Sequence, residues 1–396
     1  MKRTLFLFGS IILSCLTAFC QQLNNVIKSP DGKICVTVTD DNGKPQYAVK
    51  YGDKVFIQPS LLGVITNHAD YSENLRLKDV KTSMFDENYS LSNIKQSNVH
   101  YVANEAVCKY YRDTVNVLDV IFRVSNRDVA FRYVIHPAGA HLSCTITKEL
   151  TQFKPATGST TFLCPQAKPM GGFAGTSPSY ETSYTLDDAM GKNGWGEGYT
   201  FPCLFKNQND GWMLVSETGV DGGYCAGRLL GESDGTYCIG FPQSAECNGN
   251  GTVSPGISLP GKTPWRTITL GTTLANIVET TVPFDVVERK YEPSKKYTYG
   301  KGSWSWIIGM DASCNYNDQK KYIDFSAAMG YQSVLVDALW DTQIGRDKIA
   351  ELAEYGAKKG VSLYLWYNSN GYWNDAPQSP RGIMNDPILR KKEMKW

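Results

Sequence analysis

Alternation of apolar and polar positions dominates the first two thirds of the chain. From Gln21 to about Asp285, stretches of period two recur: Ile34–Val38, Val117–Val124, Val129–Ile135, Ser143–Thr147, Trp212–Ser216 and Thr267–Leu270. Turn signals separate them, among them Pro30-Asp31-Gly32, Asp41-Asn42-Gly43, Asn209-Asp210-Gly211 and Asp234-Gly235. This part of the sequence shows no amphipathic helix longer than three turns. Many short strands in succession predict a large β-sandwich over 21–285. Between Lys154 and Gly198 the chain is rich in Gly, Ser, Thr and Pro, which predicts an irregular surface excursion.

A linker over 286–302, with charges, Pro293 and Gly300, precedes a change of pattern. Ser303–Ile308 reads as a strand. Asp318–Met329 reads as a helix stopped by Gly330, and Ser333–Val336 as an apolar strand closed by Asp337. Asp347–Lys359 is a second helix, stopped by Gly360; Val361–Tyr367 is a third strand, and Pro387 opens another helix. Strands and helices in alternation build a parallel sheet. The expected fold class is thus multidomain, β plus α/β: a sandwich followed by the first three βα units of a (β/α)8 barrel over 303–396. A closed barrel takes eight units and about 250 residues. The chain is therefore expected to be truncated within its barrel.

Chemistry on a barrel sits at the C-terminal ends of the strands. Trp304 and Trp306 with Asp311, then Asp337 and Trp340, then Trp366, Asn368 and Asn370 fall at those positions. Aromatic faces pack on sugar C–H groups, and fixed acids and amides bind hydroxyls. Each has a plainer reading beside it. The tryptophans also suit a barrel core, Asp337 a helix cap or a buried structural acid, and Asn368-Ser369-Asn370-Gly371 an ordinary turn.

Charge narrows the partners. Forty Lys plus Arg against 39 Asp plus Glu leave a net +1, which argues against a nucleic-acid binder working by phosphate neutralisation. Aromatic residues make up 12%, a content shared by sugar-binding and β-rich proteins. Met1–Cys20 reads as a secretory signal, with Lys2 and Arg3 ahead of the apolar Leu5–Leu16. The expected location is secreted, in the periplasm. Phe19 before Cys20 fits lipoprotein processing poorly, and no run is long enough for a comfortable membrane span. The 11 Cys contain no C-x-x-C and the four His no H-E-x-x-H, so zinc motifs are not indicated.

Five segments of the second half, in order, are similar to glycoside hydrolase family 97. They are Tyr322-Ile323-Asp324-Phe325-Ser326-Ala327-Ala328-Met329-Gly330-Tyr331, Val334–Asp337 with Trp340, Glu354–Val361, Leu365–Gly371 and Arg390–Trp396. Glu149–Phe153 and Leu214–Glu217 resemble family patterns in the sandwich. The resemblance implies a β-supersandwich packed on a catalytic barrel. It implies hydrolysis of α-glycosidic bonds, in the α-glucoside or α-galactoside class, in an oligosaccharide substrate. It implies a catalytic carboxyl pair on later strands, so no catalytic residue is expected before Trp396. It also implies a calcium ion with one carboxylate from the N-terminal domain. Glu217, in Val215-Ser216-Glu217-Thr218-Gly219, fits that position, although Thr218 and Gly219 depart from the commoner Ala and acidic residue. Glu197, in Gly194-Trp195-Gly196-Glu197-Gly198, is its rival. A non-catalytic carbohydrate-binding β-sandwich is the alternative, disfavoured by the βα repeat.

Overall fold

The computed structural model describes residues 25–92, 94–137, 139–168, 183–249, 252–297, 299–369 and 378–396. The signal-like Met1–Cys20 and Asn370 lie outside them.

Strands of the first part alternate inward and outward as the period-two pattern requires. In Ile34–Thr39, for instance, Ile34, Val36 and Val38 are buried and the residues between them are partly exposed. This strand lies in a four-stranded antiparallel sheet with Val26–Lys28, Gln46–Tyr51 and Lys54–Leu61. Opposite stands a ten-stranded sheet. Its centre is formed by Gly211–Thr218, Trp265–Gly271, Asp128–Ile135, Val115–Ser125 and Asn98–Arg112, neighbours in that order. Val36, Val38, Tyr47 and Val49 from the first sheet meet Val120, Phe122, Phe131, Tyr133, Ile268 and Leu270 from the second in one apolar core. Two sheets closing on a shared core make a sandwich. Smaller three-stranded sheets complete this part, one of them Ser143–Glu149 between Gly256–Ser258 and Val64–Thr66.

After the linker, Gly302–Trp304, Ser333–Val336 and Ser362–Leu365 form a parallel sheet in chain order. The helices Tyr316–Ala328 and Arg346–Lys358 pack on it through Ile323, Ile349 and Leu352, against Val334, Val336 and Val361. Asn315 caps the first helix, accepting the Asp318 N–H at 3.0 Å. Gly330 and Gly360 follow the two helices at φ +69° and +74°, a conformation glycine adopts without steric cost. The expected strand over 303–308 is shorter: it ends at Trp304, and Trp306–Gly309 turns into a short helix. Ser305 causes the turn-in. Its buried hydroxyl accepts from Gln319 Nε2 at 2.8 Å and Ser313 Oγ at 2.9 Å, which pulls the chain off the sheet line.

Eight cysteines are free thiols among the described residues, Cys108, Cys144, Cys203 and Cys314 being buried. No helix among the described residues is long and apolar enough to cross a membrane.

Candidate active site at the ends of the parallel strands

Parallel register brings the C-terminal ends of three strands side by side: Trp304 is paired with Leu335, and Val336 with Leu365. Asp337 follows the middle strand directly and Trp366 the third. Asp337 is buried, with Oδ2 accepting the Trp304 indole N–H at 2.6 Å and Oδ1 its neighbour Ala338 N–H at 2.5 Å. The Trp304 ring stacks on Trp306, centroids 5.7 Å apart and planes 16° from parallel. Trp306 in turn donates its indole N–H to Asp311 at 2.9 Å. Two carboxylates thus hold two stacked indoles, and Trp304 keeps 36% of its surface exposed. Such a platform, with acids at its edge, can take a sugar ring face-on.

Buried Cys314 feels the charges of the same acids. Burial first, then the charges of Asp337 and Asp311, push its thiol up to about 11. It is a neutral thiol at physiological pH and no nucleophile.

The other predicted residues fall differently. Trp340 is fully buried, its indole N–H bonded to the Trp366 carbonyl at 2.9 Å and its ring stacked on Trp396. It is a core residue and offers no face to a ligand. The cause is local: Leu339 adopts a left-handed conformation, φ +68°, which folds the chain back onto the sheet. Asn368 is also buried, its amide donating to the Gln378 carbonyl at 3.4 Å and its backbone N–H to Pro380 O at 3.1 Å. It ties segment 378–380 to the strand end. Trp366 is half-buried.

Of the two carboxylates offered for calcium, Glu217 does not fit. Oε2 pairs with Arg266 Nη1, and Oε1 accepts the Gly227 N–H at 2.8 Å. Arg266 also grips Glu149 with two bonds, 2.6 and 2.8 Å; Arg266 and Glu149 are buried inside the sandwich and Glu217 is partly buried at its edge. Desolvation pulls the guanidinium down, but the charges of Glu149 and Glu217 outweigh it and hold Arg266 above its ordinary value. The charge of Glu217 is therefore already answered within the core. No signal within Val215–Gly219 reveals this, because Arg266 is 49 residues away in sequence. Glu197 fits better: its Oε2 is buried without a hydrogen-bond partner. The turn that carries it is fixed by Asn193, which accepts the Gly196 N–H through its carbonyl and the Gly231 N–H through its side chain, both at 2.9 Å. Calcium takes six to eight oxygens. Among the described residues no three His, Cys, Asp or Glu side chains converge to hold a metal, so Glu197 alone is one ligand and not a site.

Comparison with known proteins bears on the whole chain. Residues 27–288 match the family model described as glycosyl-hydrolase 97 N-terminal. A probable retaining alpha-galactosidase of Streptomyces bingchenggensis is 28% identical over 333 residues, 80% of this chain and 48% of that protein. A crystal structure of a beta-arabinopyranosidase superposes with a TM-score of 0.90 at 50% identity, over 94% of this chain and 60% of that one. A family 97 enzyme of Pseudoalteromonas sp. strain K8, solved in complex with panose, shares the fold with a TM-score of 0.70 at 22% identity, over 85% and 53%. The chain thus spans about half to three fifths of the length of these relatives.

Proposed function

This chain belongs to glycoside hydrolase family 97, and from that premise we propose that it serves the hydrolysis of β-L-arabinopyranosides and α-D-galactosides. The observation that carries this reading is the 50% identity to a beta-arabinopyranosidase across 94% of the chain. The two sugars are one problem for a protein: β-L-arabinopyranose has the configuration of α-D-galactopyranose at C1 to C4 and lacks only the C5 hydroxymethyl group. An α-glucoside differs in placing its C4 hydroxyl equatorially. A site built to bond an axial hydroxyl discriminates against that epimer, because the polar groups meant for it are left unpaired.

In this reading residues 303–396 are the opening units of a (β/α)8 barrel, and 27–288 its supporting sandwich. Trp304 and Trp306 hold the sugar face, and Asp337 and Asp311 hold the indoles and reach for hydroxyls. Hydrolysis needs two carboxyl groups flanking the bond; in this reading they come from the part of the relatives' length without a counterpart here. A calcium ion would take one oxygen from Glu197. Secretion to the periplasm accords with the signal-like Met1–Cys20.

Titration of the purified chain with methyl glycosides, followed by tryptophan fluorescence, tests the reading. Methyl β-L-arabinopyranoside and methyl α-D-galactopyranoside should both change the emission, and methyl α-D-glucopyranoside should not. Equal response to all three, a preference for the glucoside, or no response would overturn it.

A further inference from the structure

The outer face of the ten-stranded sheet carries a second arrangement. Trp265 is 2% exposed there, with the Arg132 guanidinium 4.2 Å and that of Arg123 5.3 Å from its ring centre. Arg123 also lies 4.1 Å over Phe85. The sheet register explains the gathering. Arg123 is paired with Ala130 and Arg132 with Ile121 on adjacent strands, so both side chains leave the same face. Two like charges side by side repel, and one of them is answered: Arg123 Nε donates to Glu105 Oε2 at 2.7 Å. Arg132 forms no ion pair among the described residues, and its Nε is buried without a hydrogen-bond partner. Burial, and then Arg123, pull the Arg132 pKa below its ordinary value, against the opposing charges of Glu105 and Glu288, which do not reach ion-pair distance. A partly buried guanidinium with an unused donor is costly unless something is meant to pair with it.

A cavity of about 1150 Å³ opens on this face, between the sheet, Phe85 and Tyr89 on one side and the 283–290 segment on the other. Ligand pockets are typically about 300–1,000 Å³, so the space holds a disaccharide and far exceeds an inorganic ion. Other charges on the wall are mostly committed. Asp221 is paired with Lys290 at 2.6 Å, and Asp285 accepts from Tyr89 at 2.6 Å and Thr281 at 2.9 Å. Glu87 and Glu288 also line it and disfavour a ligand with several negative charges.

We propose that this cavity is an ancillary carbohydrate site for a sugar bearing a single carboxylate, a uronate residue, whose carboxylate pairs with Arg132. The planar guanidinium fork matches a carboxylate bidentately. The Phe85 and Tyr89 rings border the space where the sugar ring would lie. None of the residues lining this cavity belongs to 302–396, so dependence on Arg132 tells it apart from the glycoside preference proposed above.

Calorimetric titration of the full chain tests the inference, with digalacturonate reduced at one end to leave a single uronate carboxylate, neutral galactobiose and inorganic phosphate as probes. The monouronate should bind in a way that depends on Arg132. Galactobiose, as an α-galactoside expected at the strand ends, should bind parent and Arg132→Gln alike, and phosphate should not bind. Arg132→Gln should weaken uronate binding about tenfold or more, as expected for loss of a charge-assisted bidentate pair, with a melting temperature lowered no further than the loss of its stacking on Trp265 accounts for. Arg132→Lys, which keeps the charge and loses the fork, should fall between. Phosphate binding as tight as the uronate's, a galactobiose affinity that falls with Arg132→Gln as far as the uronate's, unchanged uronate binding by Arg132→Gln, or no binding of the uronate would each overturn the proposal.

Discussion

The indole N–H of Trp304 and the carboxylate of Asp337 are joined at 2.6 Å across adjacent parallel strands. The bond fixes the tilt of a ring that is itself stacked on Trp306. Trp304→Phe keeps an aromatic face but strips the buried carboxylate of one donor, which costs about 1–3 kcal/mol of stability. If the pair positions a sugar platform, affinity for methyl α-D-galactopyranoside should also fall, by about tenfold for a lost 1.4 kcal/mol. Asp337→Asn places an amide where two N–H groups converge and should show the same double effect. Lower melting temperature with unchanged sugar affinity in both variants would reduce the pair to a structural tie.

The two candidate calcium carboxylates separate cleanly by experiment. Glu217 already serves Arg266 and the Gly227 N–H, whereas Glu197 has a buried oxygen without a hydrogen-bond partner. Terbium luminescence sensitised by nearby tryptophan reads calcium-type binding without any activity assay. Glu197→Gln should lower that signal in the enzyme that carries the remaining ligands, and Glu217→Gln should leave it in place while lowering the melting temperature. The reverse pattern would restore Glu217 as the ligand.

Asp128 makes stability depend on pH in an uncommon direction. It is buried among Thr269, Thr280 and Ser125, whose hydroxyls donate to it at 2.5, 2.8 and 3.5 Å. Burial dominates those bonds and raises its pKa from 3.8 to about 6. The folded state then holds the proton more tightly than the unfolded state. The stabilisation is fully present below about pH 4 and is lost as pH rises through about 6. A tenfold change in proton affinity is worth about 1.4 kcal/mol, so ionisation costs about 3 kcal/mol above pH 6. Asp128→Asn removes this titration. The stability difference between the variant and the parent, from urea melts at successive pH values, should therefore shift in the variant's favour between pH 4 and pH 6 and then level off. A flat difference would mean that Asp128 titrates normally.

How much of the molecule is legible in its sequence follows from the range of the interactions involved. Ile34, Val36 and Val38 announce a strand because burial on one face writes itself into alternate positions. The helix Arg346–Lys358 is legible to within one residue for the same reason, from Ile349 and Leu352. Tyr316–Ala328 is legible to within two residues through the glycine that follows it, although its apolar Phe325 and the following Met329 face solvent and Gln319, Ile323 and Ser326 are the buried ones. Trp304, Trp306 and Asp337 can be placed near strand ends because a βα repeat fixes where strand ends lie. Trp340 cannot be sorted from them: a core tryptophan and a ligand platform look alike when a left-handed Leu339 decides which way the ring goes. Glu217 misleads because its partner lies on another strand, and a short motif carries no trace of a neighbour that only the sheet register supplies.

That neighbour leads to the sharpest stability prediction. Arg266 is shared by Glu149 and Glu217, with Tyr224 and Tyr133 packed nearby in the core. Tyr133 bonds Thr151, which in turn donates to Glu149 at 2.8 Å, so the ion cluster is continuous with a neutral network. Removing the cation leaves two carboxylates in the interior, and breaking a buried pair in this way costs about 3–5 kcal/mol. Arg266→Ala should therefore sit at or above that range. Glu217→Ala should cost less, because Arg266 keeps its two bonds to Glu149 and loses only the partner nearest the surface. The triple variant Arg266→Met, Glu149→Leu and Glu217→Leu should recover part of the loss, since replacing the whole cluster by hydrophobic residues leaves no unpaired buried charge. Urea unfolding at pH 7 gives all three values. If Glu217→Ala proves as damaging as Arg266→Ala, the cluster is centred on Glu217 and the ordering argued from burial is wrong.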